Sequence, residues 1–251
     1  MNKNGKERIG NYSKRVMKKR IVGMILACLL VVGLASGFAV QTQAAVKFKV
    51  SQKQMKKAVE GRTVKVIVNN KEQRFKVKAS EITKFTVKSK LYSYNRKNVT
   101  VKAAVNINRK VATVRATATL QYKRKGKKWK LTSVRLGKGK IVSVQLKGTW
   151  NGTYVANQGK TKARFVIDKV SGNGRFSGIF YFSAVPSNPT VPSGSYTITG
   201  RYDKAKGSVT FIGNQWLIKP YTYSIIDFHG HLNLSNKRIY SSDYSLNISK
   251  K

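Results

Sequence analysis

The chain of 251 residues carries 51 Lys and Arg against 8 Asp and Glu, a net charge of +43 at neutral pH. Self-repulsion on that scale destabilises a compact state and draws polyanions toward it. At 41% hydrophobic and 10% aromatic the chain is still rich enough in apolar residues to build a core. Eight acids are too few for a carboxylate-rich metal site and make a poor basis for paired-acid catalysis, so no cofactor is expected.

The first twenty residues hold eight basic side chains and one acid, Glu7. An uncharged apolar run follows over residues 21–40, and Thr42, Gln43 and Ala44 then offer the small-x-Ala pattern of a signal-peptidase site. Residues 1–44 therefore read as a signal peptide, or as an uncleaved membrane anchor, with everything after them exported. The single cysteine, Cys28, lies inside the apolar run and reads as an apolar filler. The exported part has no cysteine and relies on packing and hydrogen bonds, which favours a bacterial surface over a eukaryotic secretory route.

Composition changes near Leu146. Residues 46–147 hold 30 Lys and Arg against Glu60, Glu72 and Glu81, whereas residues 148–251 hold 13 against four Asp. Aromatics run the other way, seven in the first of these stretches and sixteen in the second. Two domains of ordinary size are expected, a basic one at 46–146 and an aromatic-rich one at 147–251.

The first domain should be α+β, one helix on an antiparallel meander. Ser51 and Gln54 have capping-box spacing, Met55, Ala58 and Val59 form a narrow apolar stripe, and Gly61 can end the helix. The period then becomes two: Val99, Val101, Ala103, Val105 and Ile107 alternate with polar or small residues, as do Ala112, Val114, Ala116, Ala118, Leu120 and Tyr122. Turns are expected at Asn108, Arg109 and Lys110, and at Lys125, Gly126 and Lys127. A helix, a long meander and the ending Tyr122, Gly126, Lys127, Trp129, Lys130, Leu131 resemble the cystatin-like fold of the nuclear-transport-factor-2-like superfamily over about residues 50–137. Small extracytoplasmic members in Gram-positive bacteria have similar endings. The resemblance implies a fold and not an enzyme, since this half lacks the Asp and His of the catalytic members, and Tyr122 reads as a core residue.

The second domain reads as strand and turn throughout, with candidate strands near 148–156, 161–170, 175–183, 194–202, 206–212, 222–233 and 238–248. That spacing suits a small all-β barrel or sandwich, with glycines at bulges and bends. Gly148, Thr149 and Trp150 resemble the Gly-x-Trp opening of the calycin group, and Trp216, Pro220, Asp227 and Gly230 resemble a family of bacterial extracellular β-barrel domains, over about residues 147–248.

Three sets of residues carry possible chemistry. In the basic domain, Lys102, Arg115, Lys123, Arg124, Lys125, Lys127, Lys128 and Lys130 should collect into a polycationic surface with Thr100, Thr117, Thr119 and Thr132 interspersed, against a blander reading as a solvated face. Trp216, Tyr221 and Tyr223 flank Pro220 as possible contacts for a small ligand or glycan, or as core aromatics. Asp227, His229 and His231 have i, i+2, i+4 spacing that puts them on one face of a strand, as metal ligands or as plain surface opposite a buried Ile226, Phe228, Gly230 and Leu232. Together these features point to an exported, non-catalytic surface protein whose polycationic first domain binds anionic envelope polymer and whose β domain binds a ligand, a glycan or another protein. Its partners would be an anionic cell-wall polymer or an acidic membrane surface, with nucleic acid not expected because the basic half has no stacking motif. Two alternatives stand beside it, a calycin-like carrier of a small ligand and a secreted hydrolase using the His pair.

Overall fold

A computed structural model describes residues 47–251, so the leader region, its apolar run and Cys28 lie outside the described residues. Ser51 caps helix α1 (Gln52–Val59): its Oγ accepts from the Gln54 amide at 3.2 Å while the Gln54 side chain accepts from the Ser51 amide at 2.9 Å. Met55 and Val59 are the buried stripe, and Gly61 follows in the left-handed region at φ 75°. No helix among the described residues is long and apolar enough to cross a membrane.

Two strands that the sequence reading passed over come next. β1 (Thr63–Val68) and β2 (Lys71–Lys76) form a hairpin on Asn69 and Asn70, both left-handed at φ 48° and 58°. Two positive φ angles in a two-residue loop match the twist of the flanking strands, and Asn tolerates them. A five-stranded antiparallel sheet follows: β3 (Ile82–Tyr92), β4 (Asn98–Asn108), β5 (Ala112–Lys125) and β6 (Lys128–Leu136) in order, with β7 (Lys140–Val144) also pairing with β5. The alternation read along β4 and β5 is the observed one. Val99, Val101, Ala103, Val105 and Ile107 are buried, and so are Ala112, Val114, Ala116, Ala118, Leu120 and Tyr122. Helix α1 packs on this buried side, and Phe48 sets its ring edge-on to Tyr122 and Trp129 at 5.2 and 5.4 Å.

The change of composition at Leu146 falls in the three-residue link between β7 and β8. From there β8 (Gly148–Ala156), β9 (Gly159–Val170), β10 (Arg175–Ser183), β11 (Gly194–Asp203), β12 (Ser208–Ile218), β13 (Phe228–Asn233), β14 (Arg238–Tyr240) and β15 (Asn247–Lys250) make a closed, consecutive antiparallel barrel, sealed by β15 against β8. The structure corrects the expected strands in two places. Residues 222–227 are not strand, because Thr222 turns left-handed after Pro220; and the strand expected at 238–248 is two short ones, broken where Tyr244 and Ser245 take positive φ. Eight strands result in place of seven.

Aromatic rings fill the barrel. Phe165 lies 4.6 Å from both Phe180 and Phe211, Phe228 touches Phe165, Phe180 and Tyr154, and Trp150 donates from its indole to the Leu146 carbonyl at 2.7 Å. Such pairs add directional preference to the area they bury. Glycines admit the strands to close range: a Cβ on Gly152 would stand 1.9 Å from the Asn247 carbonyl oxygen, in the pairing that seals the barrel.

The sheet and the barrel belong to one compact unit, Lys47–Lys251. The side-chain amide of Gln73 on β2 donates to the Leu232 carbonyl and accepts from the Leu234 amide, at 2.8 and 2.7 Å, as a strand would. Beside it Glu81 and Arg109 are buried together, the guanidinium contacting the carboxylate at 2.7 Å, donating to the Leu234 and Ser235 carbonyls and lying 4.4 Å from the Phe75 ring. Lys237 of the barrel meets the same carboxylate at 2.7 Å. Burial alone would raise the Glu81 pKa, but hydrogen bonds and charges from Lys237 and Arg109 outweigh it and hold the carboxyl below its ordinary value.

Gly152→Ala should cost about 3 kcal/mol of unfolding free energy in denaturant titration, since β8 must move off β15. Glu81→Gln should cost about 3–5 kcal/mol, because two cations lose their buried partner. A depressed folded pKa means the Glu81 contribution is complete above the unfolded value near 4.5 and is lost as pH falls through the lower folded one. Stability measured from pH 5 downward (about two units, where carboxylates titrate) should therefore fall less steeply in Glu81→Gln than in the wild type.

Candidate functional site

Because side chains alternate across a strand, the residues opposite the sheet's core share one open face. Antiparallel register sorts them into rows. One row is Ser89, Lys102, Thr119 and Arg135 across β3 to β6; a second is Lys84, Asn106, Arg115 and Lys140. Lys123 stands farther along between Asn98 and Lys130. Lys102, Thr117, Thr119, Gln121, Ser133 and Arg135 line a shallow hollow of about 560 Å³ on this face. No cation of β3 to β7 forms an ion pair with a carboxylate among the described residues. Arg115 is held by Asn106 Oδ1 at 3.0 Å, which fixes its guanidinium without neutralising it.

The basic residues singled out in the sequence divide between places. Lys102, Arg115, Lys123 and Lys130 share the open face. Arg124 alternates to the other side with Tyr122 and is half-buried, Lys125 ends β5 at the hairpin, and Lys127 and Lys128 border a different hollow with Gln54, Tyr122 and Trp129. Arg135, Lys84 and Lys140 complete the face and were not anticipated. A register shift opposite Gln121 and Tyr122 breaks the period of β6, so its alternation cannot be followed along the sequence.

At one end of the barrel a cup of about 310 Å³ opens between the β8–β9 turn, the ends of β10 and β11, and the segments 222–226 and 241–246. Tyr154, Phe182, Tyr196, Tyr223 and Tyr244 supply its rings, with Tyr223 stacked on Phe182 at 5.5 Å and 12°. The Tyr196 hydroxyl is already committed to the Ile226 carbonyl at 2.9 Å, and burial raises the pKa of both Tyr154 and Tyr196, so both phenols stay protonated. Of the three aromatics flanking Pro220, only Tyr223 lines the cup. Trp216 packs edge-on against Tyr196 and Phe182 as part of the wall, and Tyr221 is 93% exposed. The proline-rich segment between β10 and β11 is pinned to the rim, Asn188 Nδ2 donating to the Gln158 carbonyl at 2.6 Å.

Asp227, His229 and His231 do not converge on one point. Phe228, Gly230 and Leu232 are the buried residues of β13, and the intervening imidazoles face away from the core. Asp227 accepts from the Gly213 amide at 2.9 Å, His229 Nδ1 lies 3.7 Å from Asp243, and His231 Nε2 lies 3.1 Å from Asn69 Nδ2 on the β1–β2 loop. Among the described residues no three His, Cys, Asp or Glu are placed to share a metal ion.

Comparison with protein-family models, with characterised proteins and with solved structures finds no match to the chain.

Proposed function

We propose that this is an exported, non-catalytic protein that holds an anionic polymer of the bacterial envelope against the open face of its five-stranded sheet. The supporting observation is the row of Lys102, Thr119 and Arg135, two unpaired cations on either side of a hydroxyl in a shallow, acid-free hollow. Strands about 4.8 Å apart place the two cationic backbones about 10 Å from one another, and same-face residues along a strand recur about every 6.8 Å. A flexible chain of phosphate or carboxylate groups can lie across such a grid and replace many small counterions at once, which is the source of polyelectrolyte affinity. The basic, apolar and small-residue order of residues 1–44 supports the compartment, and the finer cystatin-like and calycin-like assignments are part of the same reading. Binding suits this chemistry better than turnover does, since the cations and hydroxyls of the face are donors and none is poised beside a general base.

The chain should bind purified Gram-positive cell walls that carry phosphate polymer, and bind walls stripped of that polymer much less. Raising salt from about 0.05 to about 0.5 M should release it steeply, as the screening length shrinks. The double substitution Lys102→Gln, Arg135→Gln should flatten the salt dependence by roughly one to two in log–log slope. Equal binding to stripped walls, or binding indifferent to salt, defeats the reading; preference for acidic-lipid vesicles over walls would move the partner to the membrane.

A further inference from the structure

We propose that the cup at the open end of the barrel binds a neutral sugar ring. In a chain where 24% of residues are charged, none of the side chains lining this cup is charged. The pocket thus differs in kind from the polycationic face, and its occupant is selected by hydroxyl and ring chemistry instead of by charge. Its volume of about 310 Å³ lies at the small end of ligand sites, which run from about 300 to 1,000 Å³. That suits a single ring.

The polar groups around the cup are largely unspent. Asn157, Thr222 and Ser224 make no side-chain hydrogen bond among the described residues, and neither do the hydroxyls of Tyr223 and Tyr244. Gln158 donates from Nε2 to the Tyr154 hydroxyl at 3.0 Å and to Thr161 at 3.3 Å, and its side-chain Oε1 accepts no hydrogen bond among the described residues. Amide and hydroxyl groups both donate and accept, as a ring of sugar hydroxyls requires. Tyr223, held flat on Phe182, supplies the aromatic surface on which the C–H face of a pyranose stacks.

Backbone strain marks the same place. Thr222 at φ 71° is β-branched and left-handed, a conformation such a residue rarely adopts, and Tyr244 and Ser245 are left-handed at 56° and 44° on the other segment of the rim. Strained non-glycine residues persist where surrounding structure fixes them and cluster at ligand sites. Here they present Tyr223 and Tyr244 to one cavity.

The test uses the full chain in about 1 M salt, where screening extends only about 3 Å and the cationic face is silenced. Methyl glucoside, methyl galactoside and N-acetylglucosamine are probed by saturation-transfer NMR, and N-phenyl-1-naphthylamine, an uncharged apolar dye, by fluorescence. At least one sugar should receive saturation and titrate in the millimolar range. Tyr223→Ala should weaken it at least tenfold, and so should Ser224→Lys, which puts a charge on the rim at an exposed position with little burden on folding. Absence of transfer to all three sugars overturns the proposal, as does transfer undiminished in Ser224→Lys. Dye binding that both variants abolish, with no sugar registering, would make the cup an apolar-ligand site and overturn it equally.

Discussion

The Glu81 carboxylate is buried where sheet and barrel meet, and it remains ionised there because Arg109 and Lys237 both contact it. The guanidinium also closes off the Leu234 and Ser235 carbonyls, so one planar group satisfies an acid and two backbone acceptors that would otherwise be stranded. Removing a partner from such a cluster is costly even where the intact cluster contributes little net stability. Its value lies in register: with Gln73 bonded like a strand to residues 232 and 234, it fixes which stretch of the barrel the β1–β2 hairpin can face.

The scarcity of acids makes that arrangement consequential. Glu72 is engaged by Arg74 and Lys65, Asp203 accepts from the amides of Ala205 and Lys206, Asp227 from Gly213, and Asp243 sits by His229. With these five carboxylates engaged in turns and at the junction, and Glu60 and Asp168 lying outside the five-stranded sheet, the described residues place no acid on the sheet's open face. Repulsion among those cations is tolerated because the buried side of the same strands is continuous apolar packing. The open face and the barrel cup are consequently opposite in character, one dense in charge and the other free of it.

Much of the fold was legible along the chain because its cues are local. Ser51 with Gln54, the alternation of residues 99–107 and 112–122, and the glycine at 126 each act over a few residues, and each element formed where they indicate. Four features escaped. The Asn69–Asn70 hairpin was signalled only by two residues tolerant of positive φ between runs that looked merely basic. The break at Tyr244 and Ser245 has no glycine or proline to announce it. Arg135 was hidden by a register shift, and the cup draws its lining from five separated segments, so no stretch of sequence spells it out.

Closure of the barrel depends on its two shortest strands. β14 has three residues and β15 four, and β15 alone joins β14 to β8 to close the cylinder. Tension arriving through Lys250 would load this ladder from its end, parting hydrogen bonds singly as a zip opens instead of shearing them all together. Lys250 pairs with Trp150 at the start of β8, so a pull applied there against a fixed sheet would open this seam first and let the cylinder unroll from it.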